Sequence, residues 1–168
     1  MKSFLKKIAL AVIAATMCVA TNAQGKSNMA VGANLVLGMG SNSGVSYTNI
    51  GIGTKFLYNI TDPIRLEGSF TYFLEKDFVS MWDFSLNGHY LFPVTEQVMI
   101  YPLAGLGIFG TKKDYGLGVY TSSDICINLG AGFDYNLSDQ LVFNAELKSK
   151  IVNNWNRLML SAGVVYKF

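Results

Sequence analysis

The sequence predicts an all-β fold: an eight-stranded antiparallel up-and-down transmembrane β-barrel. Three observations carry that expectation. Between residues 28 and 168, eight segments alternate apolar and polar side chains with period two, which is the repeat of a strand whose two faces meet different surroundings. Charged residues are only 14% of the chain, well under the roughly 25% of ordinary soluble domains, yet no apolar run after residue 23 is long enough for a spanning helix. Short and long connections alternate along the chain, as in a membrane barrel whose tight turns gather at one end.

The first residues stand apart. Lys2, Lys6 and Lys7 make a basic start, Ile8 to Ala20 is an apolar run, and Thr21-Asn22-Ala23 offers a small-residue cleavage site before Gln24. Residues 1–23 are therefore expected to be a cleaved signal peptide, and 24–168 the barrel domain. Cys18 invites a lipidation reading, but Met17 before it is not the small residue such a site wants. The formal charge of +2 is misleading. Three of the thirteen Lys and Arg lie in the signal, leaving ten against eleven acids, a net of −1. No nucleic-acid footprint follows. Cys126 is then the only cysteine, so no intrachain disulfide is available in an oxidising compartment.

In chain order the strands are expected at about 28–38, 46–59, 64–75, 80–92, 97–110, 123–137, 140–151 and 157–168. Asn59-Ile-Thr-Asp-Pro63, Pro93-Val-Thr-Glu96 and Asn136-Leu-Ser-Asp139 read as tight turns. The first and third are near-copies, each preceded by a Tyr, with Asn and Asp side chains able to bond nearby backbone. The other connections are looser, and Thr111–Ser122 is expected to be the longest loop. The first and fifth strands are weaker, with apolar residues on both sides.

The faces decide the surroundings. Ile50, Ile52, Phe56 and Tyr58 oppose Lys55; Leu66, Phe70 and Tyr72 oppose Arg65 and Glu67; Phe84, Leu86 and Tyr90 oppose Asp83 and His89. Ile125, Ile127 and Phe133 oppose Asp124, Cys126 and Asp134, while Leu141, Phe143 and Leu147 oppose Asn144, Glu146, Lys148 and Lys150. Eight strands enclose a lumen that side chains just fill. Small and charged residues suit it; a dozen large aromatics do not. The apolar face is therefore expected to meet lipid. The inner face is expected to hold a network of Lys55, Arg65, Glu67, Asp83, His89, Asp124, Asp134, Glu146, Lys148 and Arg157, with Lys150 and Lys167 beside it. Lys55, Glu67 and Glu146 fall near mid-depth; Asp83, Asp124, Lys148 and Arg157 fall nearer the outer end. Buried charges need partners, so both signs should pair and plug the barrel rather than line a conducting path.

Other signals lead to no chemistry. Gly105-Leu-Gly107-Ile-Phe-Gly110 matches a dinucleotide-binding pattern, but no helical pattern follows it, and that pattern works only between a strand and a helix N-terminus. His89 is the only His; it sits on the inward face near a tight turn, without a Ser and an acid beside it for a triad. No Cys, His and carboxylate spacing suggests a metal site, and no cofactor is expected. Trp82, Trp155, Tyr72 and Tyr120 gather toward one barrel end, and Tyr58, Tyr90, Phe92, Tyr135, Tyr166 and Phe168 toward the other. Two such belts suit a bilayer.

The last strand carries a resemblance. Leu158, Leu160, Ala162, Val164, Tyr166 and Phe168 share its apolar face. Ser161-Ala162-Gly163-Val164-Val165-Tyr166-Lys167-Phe168 resembles the assembly signal of bacterial outer-membrane barrels, with Gly163, Tyr166 and Phe168 at constrained positions. As a whole the segment 24–168 resembles the small porin-family, OmpA- and OmpX-like barrels. That resemblance implies an outer-membrane location with both termini in the periplasm, assembly by the barrel-assembly machinery, and contact with outer-membrane lipid and lipopolysaccharide. It implies no enzymatic activity but does not fix a role; a structural or surface-interaction barrel, monomeric by preference, is the first expectation. A narrow porin-like channel is the alternative, and a lipid-modifying enzyme built on His89 a more distant one.

Overall fold

The structure, a computed structural model, describes residues 28–42, 45–76, 79–114, 119–152 and 155–168. The expected signal segment 1–23, with Cys18, lies outside the described residues. The strands are β1 Met29–Asn42, β2 Val45–Asn59, β3 Ile64–Lys76, β4 Val79–Tyr90, β5 Val98–Asp114, β6 Val119–Asn136, β7 Leu141–Val152 and β8 Trp155–Lys167. A two-residue piece, Phe92–Pro93, carries the line of β4 past Leu91 and pairs with β5. Each strand is antiparallel to the next, and β8 returns to β1 from Ala30↔Lys167 to Ser41↔Asn156. The result is a closed eight-stranded antiparallel barrel, the fold the alternation predicts. Closure leaves no full-length sheet edge, so backbone groups in the body of the barrel are paired without water.

The period-two pattern becomes inside and outside. Along β7, Val142, Asn144, Glu146, Lys148, Lys150 and Val152 are buried, while Leu141, Phe143, Leu147 and Ile151 are exposed. Outward aliphatics are very open, with Leu35 at 64% and Ile125 at 76%. An apolar band of this extent is a lipid surface, not a water surface. The aromatic residues at the tight-turn end share one depth. Tyr58↔Met29, Ile64↔Tyr90, Val98↔Tyr135 and Leu141↔Tyr166 are all pairs at or beside the turn ends of their ladders. Of the aromatics expected at the far end, Tyr72 and Trp82 are half-buried, and the side chains of Tyr120 and Trp155 lie outside the described residues.

Three tight turns are built alike. The amide of Ile60 donates to the Ile64 carbonyl at 2.9 Å, that of Val94 to Val98 at 2.9 Å and that of Leu137 to Leu141 at 2.8 Å. In each, a hydroxyl accepts from the first amide of the next strand: Thr61 from Ile64, Thr95 from Val98, Ser138 from Leu141. The third copy, Val94-Thr95-Glu96, escaped the sequence comparison because it lacks the Asn, and the hydroxyl rather than Asn or Asp closes the turn.

The strands run further at the far end than the pattern predicts. The expected loop Thr111–Ser122 is largely hairpin: β5 and β6 pair from Thr111↔Ser122 to Asp114↔Val119. Polar residues beyond the lipid band lose the alternation cue while the ladder continues.

The interior is not wholly polar. Phe73, Phe109 and Tyr101 are buried inside, against the expectation that a narrow lumen excludes large aromatics. Space comes from glycines directly across the ladder: Gly132 pairs with Tyr101 and Gly51 with Phe73. A methyl on Gly132 would overlap the Tyr101 ring.

Candidate functional site

The buried charges form layers. In the middle, Lys55 of β2, Glu67 of β3, and Glu146 and Lys148 of β7 make an alternating ring. Lys55 Nζ lies 3.1 Å from Glu67 Oε2 and 2.7 Å from Glu146 Oε1. Lys148 Nζ lies 3.1 Å from Glu67 Oε1 and 3.1 Å from Glu146 Oε2. Each cation thus sits between two carboxylates, the arrangement that best offsets the several kcal/mol each buried ion costs. β7 supplies this column by simple repeat: Asn144, Glu146, Lys148 and Lys150 point inward from alternate positions.

Toward the tight turns, Arg65 Nη1 pairs with Asp134 at 2.7 Å, and Arg65 Nε donates to His89 Nδ1 at 3.1 Å. His89 stacks on Tyr101 with centroids 4.6 Å apart, and the Arg65 guanidinium lies 4.5 Å from the Tyr101 centroid. The Tyr101 hydroxyl donates to Glu146 at 2.8 Å and accepts from Asn144 at 2.7 Å. Asn144 also donates to Asp134 at 2.6 Å and accepts from Lys55 at 2.8 Å. Toward the far end, Asn87 donates to Glu67 and accepts from Asn128, each at 2.8 Å. Asn128 accepts from Lys150 at 2.9 Å, and Lys150 lies 2.6 Å from Asp83. One connected chain of polar contacts therefore runs from Asp134 to Asp83.

The structure brings together Lys55, Arg65, Glu67, Asp83, His89, Asp134, Glu146 and Lys148, all buried. Two expectations need correction. Asp124 shares the inward parity but is exposed, because β6 rises above its β7 neighbour there; the β6–β7 ladder starts only at Ile127↔Ile151. Lys148 belongs to the middle ring, not the outer end. Arg157 is buried but stands apart from the ion pairs, over the rings of Phe73 and Phe109. Tyr101 and the Asn and Ser relays are the members that sequence reasoning missed. Only the Gly132 pairing could reveal Tyr101, and that needs the register.

Two other chemistries can be weighed on this geometry. Glu67, His89 and Glu146 place donor atoms within 4.8 Å of one another, a grouping able to hold a metal. A divalent cation there would have to displace Lys55 and Lys148 from the same carboxylates. Gly105 and Gly107 lie mid-ladder in β5, with no helix following; a Cβ on Gly105 would strike the Leu86 carbonyl and Asn87, so close strand packing accounts for it.

Residues 8–168 match the family described as outer membrane protein beta-barrel domain. The chain belongs to this family. Its fold is shared with Neisserial surface protein A, at TM-score 0.75 and 21% identity, covering 86% of this chain and 100% of that one. It is also shared with Ail, the attachment invasion locus protein of Yersinia pestis, at TM-score 0.68 and 19% identity, covering 83% and 97%. The N-terminal barrel domain of Pseudomonas aeruginosa OprF gives TM-score 0.67 and 20% identity, covering 84% and 98%. No curated protein matches the chain. Family membership places the barrel in the outer membrane, so its outward band of Leu, Ile and Phe faces lipid. In the last strand Tyr166 is exposed to that lipid and Phe168 packs edge-on against it, with centroids 5.5 Å apart. Gly163 lies where a Cβ would strike the Ala33 carbonyl on β1.

Proposed function

We propose that the chain is a non-enzymatic outer-membrane anchor whose lumen is plugged and whose far end is an interaction surface. The connected chain of contacts from Asp134 to Asp83 carries this reading. Every water path along the axis would have to pass the Lys55–Glu67–Lys148–Glu146 ring, and breaking such a ring leaves buried charges uncompensated. His89 supports the non-enzymatic side: it is enclosed, stacked on Tyr101, with Nδ1 taken by Arg65. In this reading both termini and the tight turns face the periplasm. The β5–β6 hairpin projects outward, and Val119–Cys126 of β6 pairs with β5 on one side, while among the described residues its other edge has no ladder partner. An open strand edge can take an extended segment of another chain. Two barrels of this fold are, by name, a surface protein and an attachment protein, which names a class of role and no partner. Lipopolysaccharide and lipid surround the barrel in this reading, and the barrel-assembly machinery inserts it.

Planar-bilayer recording on the refolded barrel tests the plug. The expected result is a membrane without sustained current. Stable, ohmic steps on the nanosiemens scale would instead establish the narrow channel.

A further inference from the structure

A cavity of about 50 Å³ lies at the tight-turn mouth of the barrel. Its floor is the buried apolar cluster of Ala30, Leu57, Val142 and Val165, drawn from β1, β2, β7 and β8. Asn28 and Asn59 also line it and are exposed, so the space opens toward the turns.

Three charged side chains share the wall: Arg65, Asp134 and Lys167. Both Asp134 oxygens are engaged, Oδ2 by Arg65 at 2.7 Å and Oδ1 by Asn144 at 2.6 Å. Arg65 and Asp134 therefore offset one another, and Lys167 is the charge left over. Its partner is a neutral amide, for Nζ donates to Asn136 Oδ1 at 2.8 Å. Among the described residues no carboxylate lies within ion-pair distance of that Nζ; Asp139, in the adjoining turn, is exposed to water. Residues 24–27, which precede Asn28, contain Lys26 and no acid. A half-buried ammonium with two protons unspent thus borders an apolar floor. A desolvated cation gains most from a counter-charge that brings its own apolar surface.

We propose that this cavity binds one short aliphatic monocarboxylate, its carboxylate on Lys167 Nζ and its alkyl chain on the floor. Size follows from the volume. At roughly 10–15 Å³ per water the space takes about four waters, or an acid of about five non-hydrogen atoms such as propionate. Such an acid enters from the side the turns face, the periplasm in the reading above, and meets the site without passing the Lys55–Glu67–Lys148–Glu146 ring.

The test titrates the refolded barrel, isotope-labelled at its methyl groups and held in nanodiscs, with acetate, propionate, butyrate and hexanoate at equal ionic strength. The Val142 and Val165 methyl signals should shift saturably with propionate and butyrate, with midpoints in the millimolar range expected of so small a ligand. Acetate should bind more weakly for want of floor contact, and hexanoate more weakly because it exceeds the space. Propylammonium should leave both methyls unmoved. Lys167→Met should weaken propionate binding roughly tenfold or more, the loss of one charge-assisted bond, and Lys167→Arg should keep it. Should the first variant fail to fold, Asn136→Asp serves, because it places a carboxylate on Nζ from within the chain; it should fold and lose the response. A response that rises steadily with chain length and ignores Lys167 would show partition into lipid. Unmoved Val142 and Val165 methyls in propionate would show water alone. Either result, or an undiminished response in Asn136→Asp, overturns the site.

Discussion

At the scale of single residues, the lumen is governed by charge pairing and by glycine. Glu67 accepts from Lys148, Asn87 and Ser69 on Oε1 and faces Lys55 on Oε2. Glu67→Ala would leave Lys55 and Lys148 to share Glu146. Removing one partner of a buried ion pair costs about 3–5 kcal/mol, and reversible urea unfolding in lipid vesicles should show a loss of that order. A Lys148→Met change in the same chain should restore part of it, because one uncompensated cation disappears. Gly132 acts through volume. Gly132→Ala would force Tyr101 off its place between Glu146 and Asn144, at a cost of about 1–3 kcal/mol for overpacking. Gly68 is the control, since a Cβ there meets only Leu86 Cδ2 at 3.6 Å; Gly68→Ala should fold with unchanged stability. The charged members Lys55, Arg65, Glu67, Asp83, Asp134, Glu146 and Lys148 were legible from parity alone. Tyr101 was not, because its strand carries apolar residues on both faces and its space is provided by a residue on the next strand.

At the scale of elements, the three tight turns share one mechanism, so they should respond alike. Thr61→Ala, Thr95→Ala and Ser138→Ala each remove the hydroxyl that accepts from the first amide of the following strand. Each should cost about 0.5–1.5 kcal/mol, the net worth of one such bond, read as matching shifts in urea midpoint. A turn closed by Asn or Asp would instead make the hydroxyl changes silent. The β5–β6 hairpin makes the opposite point. Its upper ladder runs through Thr, Ser and Lys positions, where no lipid or core face imposes an alternation. Pairing there follows from continuation of the ladder below, which a local pattern does not display.

At the scale of the whole molecule, closure is the event on which everything else depends. The charge ring draws on β2, β3 and β7, and its partners on β4, β5 and β6; none of it exists until β8 meets β1. Phe168 sits at that seam, its amide donating to the Met29 carbonyl at 3.2 Å and its ring against Tyr166. Deleting Phe168 should lower the yield of assembled barrel in outer membranes much more than it lowers the stability of barrel that does form. Unheated gels, on which folded barrels migrate apart from boiled ones, read the first quantity, and urea unfolding reads the second. Equal effects on both would mean that Phe168 is only a packing residue.

The sequence by itself determined the number of strands, their faces and the sign of each lumenal charge. These are local quantities: a side-chain period of two, a turn composition and a parity. It could not determine which charges meet, because partners such as Lys55 and Glu146 are brought together by closure, stagger and register. For the same reason Asp124 was placed inside by parity and lies outside by stagger, and Lys148 was assigned to the outer end although it completes the middle ring. The tertiary structure alone decided that Lys55, Glu67, Glu146 and Lys148 share one ring, and that Arg157 lies over the rings of Phe73 and Phe109, apart from the ion pairs among the described residues.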